Sequence, residues 1–485
     1  MNRTVRELNK NYYNLSKPAK ASIWFAVANI LRKGIQFLVV PLYTRLMTTE
    51  QYGEYSVFFS WQDIIRVFAT LMLFNYVFNN GMIKYAEDKD NFIASLVGIS
   101  TAATLCCVMI YSFFNRQIRE FTGIPKYLFL LMFVEFFFMS SFEYWCSEHR
   151  FRFEYRPVVR ASIFMSVLTP VMSVVLMLLF SERGQAAIVA RILVAIGIYV
   201  YPFLIVNKRS HAYFNETYWK FVLGFSIPLI PHQLSFILLQ QSDRVMINKI
   251  CGSSDAGIYS LAYSIAMVLL LFNDAILMSY NAWLYQKMKS GSIEEIRKVA
   301  SLLVIFIAVP GCALMLVAPE CMKILGTAEY YQAVYAIAPV AASVFFMFLF
   351  NLFVGVEYYF EKTNFVVIAT VTAVVFNIIA NMICIPRFGF LAAAYTTLGG
   401  YAIMALMHYA FMKKVQSNHC IKENIYSSKN AVAAAVFVLC FMVFSLFLIK
   451  MTLLRYFLII LIVLSTFLYR KKILRIFNLF MKKGT

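Results

Sequence analysis

Charge is in short supply in this chain. Of its 485 residues, 14% are Asp, Glu, Lys or Arg, and the acidic ones number 24 against 44 basic. So little charge excludes a water-soluble globule, because a folded surface needs polar groups to face solvent. Histidine is scarce too, at five, and the nine cysteines form no C-x-x-C pair. Neither set has the spacing of a metal site, so no metal, cofactor or required disulfide is expected. Cys106, Cys107, Cys146, Cys312, Cys384 and Cys440 fall in apolar runs, where a thiol is a small packing residue. Also missing is G-x-x-x-x-G-K-S/T, which argues against direct drive by ATP. Long polar segments are absent as well. With only short breaks between apolar runs, no extramembrane domain is large enough for an active site, and an enzyme is not expected.

What is present is apolar surface: 61% of residues are hydrophobic and the mean hydropathy is +0.71. A helix of ~20 apolar residues crosses the hydrocarbon core of a bilayer. Fourteen runs qualify: 21–46, 53–79, 92–114, 126–147, 157–180, 185–206, 219–249, 256–284, 296–319, 331–356, 364–385, 390–412, 428–449 and 452–469. Each is expected to be helical, since an open strand leaves its backbone unsatisfied in lipid. The fold class is therefore an all-α polytopic membrane protein. Residues 1–20 are polar and basic, and the run after them carries Arg32 and Lys33, so it reads as a first spanning helix and not a cleaved signal.

The net charge of +20 would suggest nucleic acid in a soluble protein. Here the basic residues sit between apolar runs, which points to membrane lipids and no nucleic acid. With the N-terminus inside, 29 of the 44 basic residues fall on the cytoplasmic side and 11 on the other. That asymmetry supports an even helix count and cytoplasmic termini. The basic stretch Arg470–Lys483 is amphipathic and is expected to lie on the anionic leaflet.

A repeat is also legible. Arg45-Leu46-Met47 precedes Gly53-Glu54-Tyr55-Ser56, and Arg244-Val245-Met246 precedes Gly257-Ile258-Tyr259-Ser260. Both copies sit at the same place in a six-helix unit. Six helices return the chain to its starting side, so the halves are expected to be parallel, with helices thirteen and fourteen appended.

Charged side chains inside a span are costly, about 2.5–3.5 kcal/mol each on insertion scales, and mark cavities or partners. Here they are Arg32, Lys33, Asp63, Arg66, Glu135, Glu143, Arg191 and Asp274, with Asp243 and Arg244 near a helix end. Spacing puts Asn29, Arg32, Gln36 and Tyr43 on one face of the first helix, which Pro41 should kink, and sets Arg66 one turn from Asp63 in the second. Two readings stay open: a cationic stripe along a cavity, or interhelical hydrogen bonding with an Asp63–Arg66 pair that neutralises itself. Pro228 and Pro231 remove two backbone donors from the seventh helix and should break it, with Gln233, Gln240 and Arg244 on one face as a gate or cavity lining. Asp274, Asp63 and Glu135 are candidates for ion coupling or counter-charge. Tyr259 and Tyr263 are candidates for stacking on a sugar, against the plainer role of an interfacial belt.

Three stretches carry a resemblance: Pro41-Leu42-Tyr43-Thr44-Arg45-Leu46-Met47-Thr48-Thr49-Glu50-Gln51-Tyr52-Gly53-Glu54-Tyr55-Ser56, the Ile227–Pro231 break, and Asp243-Arg244-Val245-Met246-Ile247 leading into Gly257-Ile258-Tyr259-Ser260. In these the chain resembles the Wzx-type oligosaccharide flippases, in the superfamily that also holds MATE drug exporters and lipid II flippases. The resemblance implies two six-helix lobes (21–207 and 218–413) around a central cationic cavity, a helix pair at 428–469, and basic termini at 1–20 and 470–485. It implies a bacterial inner-membrane protein that moves an undecaprenyl-pyrophosphate-linked repeat unit, for O-antigen, capsule or similar glycan, to the outer leaflet. Arg32, Arg66, Arg191 and Arg244 would hold the pyrophosphate, with Lys33 and Gln36 beside them. Glycan polymerase and chain-length proteins of the same pathway would be partners. The rival readings are a MATE-like ion-coupled exporter of small molecules and a membrane glycan polymerase or ligase.

Overall fold

A computed structural model describes residues 16–74, 77–421 and 423–468. The expected surface helix at Arg470–Lys483 lies outside them. All regular structure among the described residues is helical. In chain order the helices are α1 (Lys17–Leu46), α2 (Thr49–Thr70), α3 (Val77–Lys84), α4 (Lys89–Phe113), α5 (Asn115–Thr122), α6 (Lys126–Phe151), α7 (Tyr155–Leu179), α8 (Arg183–Arg209), α9 (Glu216–Ser226), α10 (Ile230–Cys251), α11 (Ser253–Ala266), α12 (Leu269–Lys289), α13 (Ile293–Leu325), α14 (Val334–Tyr359), α15 (Thr363–Phe388), α16 (Leu391–Asn418), α17 (Ser428–Leu448) and α18 (Thr452–Leu468).

Ten of these spans are long and apolar enough to cross a membrane, eleven if the pair α11 and α12, bent by 41°, counts as one. Helix occurs in every run expected from the sequence, but the figure of fourteen is not reached on apolar length. Within α2 lie Glu50, Glu54, Asp63 and Arg66; α16 is diluted by Thr396, Thr397, Tyr401 and His408; α18 is short.

Local chemistry sets the ends. Thr48 and Gln51 form a capping box at α2: Gln51 N donates to Thr48 Oγ1 at 3.2 Å and Thr48 N to Gln51 Oε1 at 3.4 Å. The Asn215 side chain accepts from Thr217 N and Tyr218 N and starts α9. Between α10 and α11 stands Gly252 at φ 100°, a conformation glycine adopts at no steric cost. α1 continues as helix through Pro41.

Two compact units emerge, the first from residues up to Leu46 plus Phe58–Leu234, the second from Met47–Val57 plus residues from Ser235 onward. In the first, α7 and α6 pack along α8, and α1 along α7. Phe78, Phe92, Tyr144 and Trp145 centre its core. In the second, α14 is enclosed: 94% of its span is buried in protein, among α11, α13, α16 and α17. α18 is fixed to α13 by Arg455, 2% exposed, whose Nη1 donates to Glu320 Oε2 at 2.5 Å and Nη2 to Oε1 at 2.9 Å.

Three spans are interrupted. Pro228 and Pro231 turn the seventh into a 3-10 segment, Ile227–Leu229, between α9 and α10. The second ends in Leu71 and Met72, at φ 50° and 47°, before α3 resumes. The eighth breaks at Met267 and Val268. Neither proline nor glycine marks these last two breaks, and nothing in the local sequence explains them.

Candidate functional site

In the first unit, α2 carries Gln62, Asp63 and Arg66 into the field of Glu135 and Glu143 on α6 and of Tyr199 on α8. Gln62 and Glu135 are both buried, and Gln62 Nε2 donates to Glu135 Oε2 at 2.6 Å. Arg66 Nη2 donates to Glu143 Oε1 at 2.7 Å. Spacing offered Asp63 as a partner for Arg66; the 2.7 Å contact to Glu143 comes from another helix. The ion pair crosses to another helix because both of its members are largely desolvated, and a buried charge needs a partner at contact distance. Asp63 also contributes to the electrostatic field at Arg66. Arg66 Nε and Glu143 Oε2 stay buried without partners, so the pair holds unused hydrogen-bonding capacity.

Two further cations join this set. Arg191 of α8 places its guanidinium 3.6 Å from the centre of the Phe59 ring. Arg32 of α1 donates Nη2 to Asn29 Oδ1 at 3.0 Å, as their shared face predicts, and feels the positive charges of Arg191 and Arg150. Three of the four expected basic residues thus come together in one unit. Lys33 is half-buried and Gln36 exposed on the same helix.

The proline break borders the same unit's second interruption. Ser226, Leu229, Ile230 and Gln233 line a small pocket with Val67, Leu71, Met72 and Val77. Bulky residues in the left-handed region cost about 1–2 kcal/mol each, and such strain concentrates where a chain must switch conformation.

The second unit holds the fourth cation in a different setting. Arg244 Nη1 donates to Gln241 Oε1 at 2.6 Å and to the Gln240 carbonyl at 3.3 Å, over the ring of Tyr263 at 4.3 Å. Its neighbour Asp243, placed near a helix end from sequence, lies two turns inside α10 and is wholly buried. Tyr259 donates to Asp243 Oδ2 at 2.6 Å, Asn381 Nδ2 to Oδ1 at 2.7 Å, and Thr397 also donates to Oδ2. Asn377 extends the cluster through Asn381 and Ser242. One carboxylate among neutral oxygens suits a proton or a hard monovalent cation. Among the described residues no three His, Cys, Asp or Glu side chains form a larger metal set. The signal for this cluster was in the sequence as Asn377 and Asn381 at i, i+4 and the Thr396-Thr397 pair inside apolar runs. Tyr259 and Tyr263 are buried against it, not presented to a sugar. Asp274 is exposed on α12, beside a buried Asn273 that donates to the Val344 carbonyl at 3.0 Å.

The two copies of the sequence repeat share geometry. Arg45 and Arg244 each donate Nη1 to the carbonyl four residues back, at 3.2 and 3.3 Å. Gly53 and Gly257 pack against each other's helices, where Ser254 Oγ donates to Thr49 Oγ1 at 2.8 Å.

Comparison with known proteins bears on all of this. An uncharacterized membrane protein of Haemophilus influenzae is 22% identical, over 82% of this chain and 98% of its own length. A lipid II flippase, MurJ, in an inward closed conformation is similar in structure with TM-score 0.65 and 15% identity, over 93% of this chain and 100% of that one. An inward-facing multidrug resistance MATE family transporter of the MOP superfamily gives TM-score 0.59 and 12% identity, over 83% and 100%. At these identities the solved structures speak to the fold alone, and that fold is the MurJ- and MATE-like one. The model of the polysaccharide biosynthesis protein family matches residues 19–280, more than half of the chain. This multi-pass membrane protein therefore belongs to the polysaccharide biosynthesis protein family.

Proposed function

We propose that the protein is a flippase, and not an enzyme, that moves a pyrophosphate-bearing, lipid-linked oligosaccharide repeat unit from the cytoplasmic to the outer leaflet of a bacterial inner membrane, with both termini in the cytoplasm. The observation that carries this reading is that Arg32, Arg66 and Arg191 sit on three helices of one unit, Arg32 within the field of Arg191, and Arg66 and Arg191 both within that of Glu135. Guanidinium matches phosphate oxygens bidentately. Family membership fits it, as does the likeness in fold to a lipid II flippase. Undecaprenyl pyrophosphate bearing an O-antigen, capsule or similar unit is the substrate class. Lys33, Gln36 and Arg244 supply further contacts, and the Pro228–Pro231 break with Gln233 and Gln240 works as a gate. Transport proceeds by alternating access, the headgroup crossing while the lipid tail stays in the bilayer. Asp63, Glu135 and Asp274 serve as counter-charge or ion sites, and polymerase and chain-length proteins act on the product.

The test is loss of surface glycan, with lipid-linked saccharide trapped on the inner leaflet, in Arg32→Ala and Arg191→Ala variants present at wild-type levels. Full complementation by both removes the headgroup reading.

A second reading, an ion-coupled exporter of small molecules, is favoured by the buried Asp243 cluster alone. It predicts drug resistance conferred by the protein in a strain that makes no surface glycan.

A further inference from the structure

Away from the charged cluster, the first unit has another concavity, a groove of about 1060 Å3 between α6, α7 and α8. That is the scale of a site for a sizeable ligand, since such sites run to roughly 1,000 Å3. Its walls are apolar, with Phe142, Trp145, Phe164, Val167 and Ile198 among them. Phe164 and Val167 are exposed, and the stripe continues up α7 through exposed Val171, Val175 and Leu178. A water-filled path across a membrane is lined by polar groups, so a helix face this apolar meets hydrocarbon.

One end of the groove is basic. Arg160 and Arg209 close it. Arg209 is already committed: its Nη1 donates to both oxygens of Glu148, at 2.9 and 2.8 Å, and Glu148 also takes Arg152 at 2.6 Å. Arg160 is not. Neither it nor Arg156, one turn earlier on the same face of α7, has an acid or hydrogen-bond partner among the described residues. The apolar groove is therefore lined by an exposed guanidinium with nothing to neutralise it, Arg160, and a second, Arg156, stands one turn away on α7 just beyond the lining.

We propose that this groove binds an anionic membrane phospholipid, its phosphate on Arg156 and Arg160 and its acyl chains along the channel. Charge complementarity selects the headgroup, and basic pockets between spanning helices are where such headgroups dock. The groove opens along α7 to the bilayer, so the lipid in excess there fills it, in preference to a scarce carrier lipid. The bound lipid fills the space between α6 and α7, both of which pack on α8.

Full-length protein in detergent, titrated with phosphatidylglycerol and followed by native mass spectrometry and thermal shift, tests this. Phosphatidylglycerol should bind and raise Tm, and phosphatidylcholine should do neither. Two exposed arginines contribute about fivefold each, so the Arg156→Ala/Arg160→Ala variant should bind phosphatidylglycerol about twenty-five-fold more weakly. Ala161→Trp, which narrows the channel and keeps both arginines, should also lose the lipid. Unchanged binding in either variant, or equal binding of phosphatidylcholine, overturns the proposal. Preferential displacement of phosphatidylglycerol by undecaprenyl phosphate assigns the groove to the carrier lipid and equally overturns it.

Discussion

Gly53 and Gly257 stand backbone to backbone. A methyl group on Gly53 would lie 1.8 Å from the Ser253 carbonyl oxygen, and one on Gly257 would lie 2.1 Å from that of Thr49. No side chain fits, and the helices approach this closely only because both positions are glycine. Around the pair, Tyr330 OH donates to the Thr48 carbonyl at 3.2 Å and the Tyr52 and Tyr330 rings meet edge on at 6.0 Å. The stretch that carries the family resemblance is thus a helix-packing surface.

Substituting Gly53→Ala or Gly257→Ala should force α2 and α11 apart. Overpacking of this kind costs about 1–3 kcal/mol, and surface glycan is expected to fall at least tenfold by quantitative immunoblot. Gly197→Ala, with nothing within 4 Å of the added methyl, should be neutral. Normal glycan and normal Tm in both contact variants would show that the close approach is dispensable.

Removing one member of the Arg66–Glu143 pair leaves the other part-buried and without its contact partner. Arg66→Ala should lose on the order of 3 kcal/mol of stability. Arg66→Ala/Glu143→Ala should regain most of it in a thermal melt, yet stay inactive if Arg66 also touches substrate. A double variant that transports normally restricts the arginine to structure.

Asp243→Asn keeps shape and most hydrogen bonds while deleting the one charge in its cluster. The protein should fold, and transport into vesicles should stop responding to an imposed sodium or proton gradient. Thr397→Ala should weaken the response in the same direction. A wild-type gradient response in Asp243→Asn would place the coupling elsewhere, with Asp274 the next residue to test.

The helical runs, the repeat and the in-span basic residues were legible because apolar length and isolated charge are one-dimensional signals. Arg66's partner was not: Glu143 lies 77 positions away, and only packing brings it to 2.7 Å. The expected end of the Asp243 helix, residue 249, lies within two residues of Cys251, where α10 ends; what the sequence did not show was that Asp243 is wholly buried among Tyr259, Asn381 and Thr397. The breaks after Thr70 and Ala266 had no breaker residue to announce them. The proline break did, and the structure has it where Pro228 and Pro231 fall.

Arg455→Ala should lower stability by about 1–3 kcal/mol, since part-buried Glu320 would lose its two guanidinium donors and keep Tyr456, at 3.2 Å, and a backbone N–H. Differential scanning fluorimetry reads this directly, and an unshifted melt would mean that the pair is solvated.

The same contact makes the order of synthesis matter. Glu320 is made 135 residues before the arginine that neutralises it. Until Arg455 leaves the ribosome, α13 lacks the guanidinium that pairs with Glu320. A chain that stops short of α18 therefore leaves that carboxylate without its cation, and α13 reaches its final packing only after α18 has been made.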